Sequence, residues 1–294
     1  MFKNITAFRI DQKLQPDFEN LESALGANQF LPCGLTQEKS VGWSAPRCEG
    51  GAMVEFVDGQ WILKLLIETK SVPAEAVNKL VDEQCKKIEA TTGRRPGKRE
   101  KRDMKDDALL TLLPHAFAKQ TAVLVWISPI ARLVVIDSVN NNHTNDVLTC
   151  LVKAVQGFTA MSLLTANSPS ELMSDCLLTQ EPPPGFRIDR ECELKSSDDS
   201  KAIVLYSNHA LDIEEVQEHI KAGKRPTRLA MTWDSRVSFI LADTLQIKKL
   251  CFLEGVIKAG LDNDDDRFNS DVAIATGELS IFIPDLLYAL GGEV

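Results

Sequence analysis

Residues 86–117 read KKIEATTGRRPGKREKRDMKDDALLTLLPHAF, and the charge and periodicity of this stretch organise everything around it. Between Lys86 and Lys105 nine Lys or Arg face only Glu89, Glu100 and Asp103, so the segment carries +6 in a chain whose net charge is −9, and the remainder carries −15. Segregation of this kind allows a local anion-binding surface on an acidic protein. Upstream, Val77, Leu80, Val81, Cys85 and Ile88 form a helical stripe, entered at Ser71–Pro73 and ended by Gly93 and Pro96. Downstream, Met104, Ala108, Leu112 and Leu113 form a second stripe, which Asp103 is suited to cap. The expected element is a helical hairpin with an Arg/Lys-rich loop at its tip. Pro114 ends or kinks the second helix just before His115 and Phe117.

Working outward, Phe2–Ile10 is strand-like and Asp17–Leu25 helical, and Val54/Phe56 with Trp61/Leu63/Leu65 alternate about Asp58-Gly59 as a tight hairpin. Thr121–Ser128 and Ala131–Asp137 read as a second hairpin about Pro129. Helices follow at about 145–156 and 168–179. Pro182-Pro183-Pro184-Gly185 is the best boundary. Beyond it come strands near Phe186 and at Ala202–Tyr206, a helix over 213–222, a meander through Arg228–Trp233, Val237–Leu241 and Ile247–Phe252, and a final helix carrying Leu279, Phe282, Ile283, Leu286, Leu287 and Leu290. Strands and helices mix without regular βαβ alternation, so the fold class is α+β with mixed antiparallel sheets and a projecting basic hairpin.

Composition removes several classes. Seven cysteines contain no CxxC, which argues against a zinc site or a secreted disulfide frame. The amino-terminal MFKNITAFRI lacks the apolar run of a signal peptide. The longest apolar stretch, 122–136, is broken by Pro129 and Arg132, so no membrane helix is expected. The acidic run Asp262, Asp264, Asp265 and Asp266 misses the calcium-loop pattern, with Arg267 where a glycine is needed and Ala273 where a bidentate Glu belongs. Four His occupy no catalytic motif and no glycine-rich phosphate loop is present. Nothing argues for catalysis, a cofactor or a metal.

Two basic groups are candidate phosphate contacts: Arg94, Arg95, Lys98, Arg99, Lys101 and Arg102 at the tip, and Lys221, Lys224 and Arg225, with Arg228 beside them. Solvated loop and DNA surface are both open for the first group, and for the second, cations closing a helix are the favoured reading. Phe117 is open to three readings: core, DNA wedge or subunit contact. A metal-dependent nucleic-acid enzyme and a protein-binding scaffold with a basic docking arm are the other classes.

Pro32-Cys33-Gly34, Gly42-Trp43, the basic hairpin running into Leu112-Leu113-Pro114-His115-Ala116-Phe117, Trp126, Ala222-Gly223-Lys224, Trp233, Thr276-Gly277-Glu278-Leu279 and Leu290-Gly291-Gly292-Glu293 occur in that order. Together they resemble the bacterial recombination-associated RdgC family over essentially the whole chain. The resemblance implies a ring-shaped homodimer that encircles double-stranded DNA without sequence preference, restrains a RecA-type recombinase, and resides on the nucleoid in the cytoplasm. It also implies a centre domain (1–72 and 121–180), a tip (73–120) and a base (181–294). By the same resemblance Arg94 falls at a tip Arg in DNA contact, Lys224 at a base Lys facing the hole, and Phe117 at the aromatic closing the ring between tips. His115 and Asn208-His209 depart from the family pattern, where an Arg and a Lys-Gln pair stand.

Overall fold

A computed structural model describes residues 2–11, 18–48, 50–196, 198, 201–253 and 264–294. Asp17 and the acidic run from Asp262, including the side chains of residues 264–266, lie outside that description. Two antiparallel sheets and seven helices make up the described chain, as the α+β reading expects.

The first sheet collects β1 (Thr6–Ile10), β2 (Lys39–Ser44), β3 (Val54–Val57), β4 (Gln60–Lys70), β5 (Ala118–Ser128), β6 (Leu133–Ile136) and β7 (Ala160–Ser162) in the order β2-β4-β5-β6-β1-β7, with β3 added on β4. Its helices are α1 (Phe18–Gly26), α2 (Ala74–Thr92), α3 (Lys98–Leu112) and α4 (Asn141–Ala154). Asp58 and Gly59 both adopt positive φ (48° and 78°), the geometry a two-residue turn needs, and set the Val57↔Gln60 register of the β3–β4 hairpin. Alternation along β4 and β5 sorts the side chains to two faces. Leu63, Leu65, Ile67, Val123, Val125 and Ile127 join Leu21 of α1 and Val147 and Leu151 of α4, whereas Ile62 and Trp126 enter the core shared with the second sheet.

The second sheet holds β8 (Phe186–Ser196), β9 (Ile203–Ser207), β10 (Lys224–Trp233), β11 (Val237–Ala242) and β12 (Ile247–Phe252) in the order β12-β11-β10-β8-β9. The expected meander is therefore present as β10–β11–β12, with β10 starting earlier, at Lys224. Helices α5 (Pro169–Thr179), α6 (Glu214–Lys221) and α7 (Asp264–Ala289) complete the chain. Val272, Ala275, Leu279, Phe282, Ile283 and Leu286 of α7 are buried at helical spacing, and Phe282 packs 4.8 Å from Phe239 and 5.6 Å from Trp233 between ring centroids. By length and composition Arg267–Ala289 could span a membrane, a stretch the sequence reading passed over in favour of 122–136. Most of its large apolar residues pack in the core of the second sheet, with Ile281 and Tyr288 exposed.

Two packing details cut across the polyproline boundary. Met173, Cys176 and Leu177 of α5 lie in the core of the second sheet. Ile5 exchanges backbone hydrogen bonds with Ile247 at 2.8 and 3.0 Å, so the segment before β1 reaches the edge of that sheet. Residues on either side of Pro182 thus share one apolar cluster.

Candidate nucleic-acid interface

The basic hairpin, residues 71–117, is inserted between the two longest strands of the first sheet. β4 and β5 pair from Trp61↔Ile127 to Lys70↔Ala118, and α2 and α3 leave from that end. The seam between the helices is thin: Val81 and Ala108 are buried, with Cys85 Sγ 3.9 Å from Met104 Sδ. Gly93 (φ 69°) closes α2 in the left-handed region and its N–H donates to the Glu89 carbonyl at 2.9 Å.

Asp103 does not cap α3. The helix begins at Lys98 behind Gly97, whose N–H donates to Glu100 Oε2 at 2.8 Å. A glutamate at the third helical position reaching back to the cap residue does this work, and Lys, Arg and Glu are good helix formers, so the helix extends through the run the sequence reading treated as loop. Gly97-x-x-Glu100 was the signal for it. Only Arg94 and Arg95 lie in the turn; Lys98, Arg99, Lys101 and Arg102 stand on the opening turns of α3.

That correction turns a charge count into a geometry. Lys98, Arg102 and Lys105 are spaced i, i+4, i+7 and fall within an arc of about 60° on the helix, with Lys101 flanking them. All four are exposed, and among the described residues none has a carboxylate partner. Arg99 lies on the adjacent face, toward Asp103 and Asp106. Cations at a helix N-terminus oppose the macrodipole, so helix stability does not account for this stripe.

The turn arginines are held differently. Arg94 donates to both Glu100 oxygens at 3.0 and 2.6 Å, and Arg95 Nε donates to Glu89 Oε1 at 2.8 Å. Hydrogen bonding to these carboxylates raises both guanidinium pKa values, and the Arg94 contact, then the Gly97 N–H, holds the Glu100 carboxyl below its ordinary value.

Phe117 is not core. It follows a 3₁₀ turn at Leu113–His115, anchored by buried Leu113, and is 96% exposed between that turn and β5. Leu110 is half-exposed on α3 and His115 is exposed.

The second basic group lies on the other sheet. Lys221 closes α6, where the dipole favours it. Gly223 turns the chain at φ 91° into β10, which opens with Lys224 and Arg225. Lys224 Nζ donates to His219 Nδ1 at 2.9 Å, Arg225 lines a cleft with Glu171 and Asp175, and Arg228 is paired with Glu193 at 3.2 Å. At the second departure from the family pattern, Asn208 takes φ 52° and His209 Nδ1 lies 2.7 Å from the Ala210 carbonyl oxygen. Among the described residues no three His, Cys, Asp or Glu side chains gather closely enough to hold a metal ion.

Residues 1–293 match a family model described as "Putative exonuclease, RdgC". Recombination-associated protein RdgC of Herminiimonas arsenicoxydans is 39% identical over 99% of this chain and 98% of the relative. The proteins of the same name from Dechloromonas aromatica and Bordetella pertussis are 35% and 33% identical, over 100% and 99% of this chain and 98% of each relative. A family match over residues 1–293 and relatives 33–39% identical over nearly their full length make this chain a member of the RdgC family of recombination-associated proteins.

Proposed function

We propose that this chain binds double-stranded DNA without sequence preference, as a ring-shaped homodimer that restrains a RecA-type recombinase by occluding the duplex. The observation that carries the reading is the unpaired stripe Lys98, Lys101, Arg102, Lys105 on an exposed helix of an otherwise acidic protein. Such a stripe neutralises phosphates, which are common to every sequence, and releases counterions. Exposed Phe117 at the root of the same hairpin is the contact by which two tips close the ring, and Lys224 and Arg225 line the opposite side of the hole. The acidic remainder keeps the outer surface from binding DNA. The protein works on the nucleoid in the cytoplasm, without metal, cofactor or membrane.

The test is dissociation from covalently closed circles and from linear duplex of the same length, with Mg²⁺ present throughout. A closed ring leaves circles more slowly, and the DNA stays intact. Equal dissociation rates from the two substrates would overturn the ring. Degradation from ends would instead establish the exonuclease of the family description. Absence of binding, with retention of an acidic polypeptide, would favour a protein-docking arm.

A further inference from the structure

We infer that Glu89 and Glu100 are built-in competitors for the phosphate backbone, holding Arg95 and Arg94 in reserve so that the tip presents the α3 stripe first and these two arginines only when DNA displaces the carboxylates. The inference rests on the proposed duplex binding and concerns how it is regulated at the same site.

Geometry carries it. Both pairs lie at the turn between α2 and α3, at a sequence separation of six. Both Glu100 oxygens accept from Arg94 and Oε2 accepts from the Gly97 N–H as well, so one residue both caps α3 and occupies an arginine fork. Arginine presents that fork to phosphate and carboxylate in the same bidentate way, which makes the two anions true competitors. Exposure decides which wins: the Arg94 side chain is 63% exposed and that of Arg95 84%, and ion pairs this open to water are weak. Duplex DNA offers one phosphate per about 1.7 Å of axis, a charge density a single glutamate does not match. Docking of the stripe brings phosphates to the turn, the arginines exchange partners, and the displaced glutamates face the DNA as a residual repulsion. The tip is therefore tuned below its maximal affinity, which suits a clamp that must move along DNA and leave it.

The experiment compares duplex affinity of the wild type with Glu89→Gln/Glu100→Gln across a salt series. Glutamine keeps the Gly97 cap and the helix propensity but removes the charge that holds each arginine. The double variant should bind about three- to ten-fold tighter at low salt, with the gain shrinking as salt screens the masks in the wild type. Asp103→Asn/Asp106→Asn is the charge-matched control: it removes two exposed tip carboxylates that, among the described residues, form no ion pair with an arginine. A gain larger than the control's supports the masks, and in an Arg94→Ala/Arg95→Ala background that excess should vanish. Equal gains, or none, with unchanged helical circular dichroism would overturn the inference and leave duplex binding standing. If the wild type itself fails to bind duplex, the functional reading fails first.

Discussion

Replacing Lys98, Arg102 and Lys105 together by alanine tests the proposed interface most directly. Each phosphate neutralised contributes about 0.9 to the slope of log affinity against log salt on duplex DNA, so losing three contacts per protomer flattens the slope by about 2.7, and by twice that if both protomers engage. Over a rise from 50 to 200 mM salt, the single-protomer figure means that the wild type loses about 40-fold more affinity than the variant does. Folding should survive: the three side chains are exposed and, among the described residues, without acidic partners, alanine is the better helix former, and removing Lys98 from the first turn relieves an unfavourable dipole contact. Fluorescence anisotropy on two unrelated duplexes, with circular dichroism as the folding control, is the assay. The flattening must be equal on both sequences, because phosphates carry no sequence information. A slope unchanged from wild type in a folded variant would refute the reasoning and return the stripe to the status of a solvated helix face.

Phe117→Ala should leave the helical and strand circular dichroism of the chain unchanged, because the ring is 96% exposed on the protomer, while abolishing the slow phase of release from circular DNA. Gly42→Ala should destabilise by about 1–3 kcal/mol or more in urea denaturation: an added Cβ would sit 2.4 Å from Phe30 Cα, a backbone atom that no rotamer change moves. Thiol alkylation should label exposed Cys48 and Cys251 in the native protein and reach Cys176 and Cys192 only on unfolding, since burial pushes those two thiols up to about 11 and about 12. Glu68 accepts hydrogen bonds from the Gln120 side chain and the Cys33 N–H, which hold its carboxyl below the ordinary value. Its folded pKa is depressed, so its contribution is fully present above about pH 4.3 and is lost as pH falls through the lowered value. Thermal melts between pH 5 and pH 3 should therefore show Glu68→Gln losing less stability than the wild type.

What the sequence made legible was local. The Asp58-Gly59 turn with its alternating flanks, the β10–β11–β12 meander and the spaced apolar residues of α7 are each legible from runs contiguous in sequence, and each is present in the fold. The long β4–β5 pairing is not local: its partners are separated by the entire helical hairpin, and each strand was read as half of a different, shorter hairpin. The placement of α5 against β10 was hidden for a related reason. Proline-rich composition marks a stiff segment but says nothing about which sheet the preceding helix will cover. At the site, residue types were legible and their pairing was not. Periodicity rules compare positions three and four apart, whereas Arg94–Glu100 and Arg95–Glu89 meet at a separation of six because a turn folds them together. Summing charges therefore gave the right sign for the tip and an equal weight to cations that are not equivalent.

The mount of the hairpin explains why that inequivalence matters. α2 and α3 share a seam with few buried side chains, too thin to hold an orientation by itself. Orientation comes from the root, where ten consecutive β4–β5 pairs run to Lys70↔Ala118 and Glu68 fastens β4 to Gln120 of β5 and to the loop at Cys33. Leu113, buried just after α3, locks the return of the chain onto that ribbon. The root of the arm is thus fixed on the first sheet, and α3 carries the stripe outward from it. Arg94 and Arg95, at the far end, sit in the turn with side chains 63% and 84% exposed. Under the proposed duplex binding, the helical stripe sets where the duplex lies, and the two turn arginines, once released from their carboxylates, adapt to it. Moving the same two cations onto the stripe would keep the net charge and lose that adaptability.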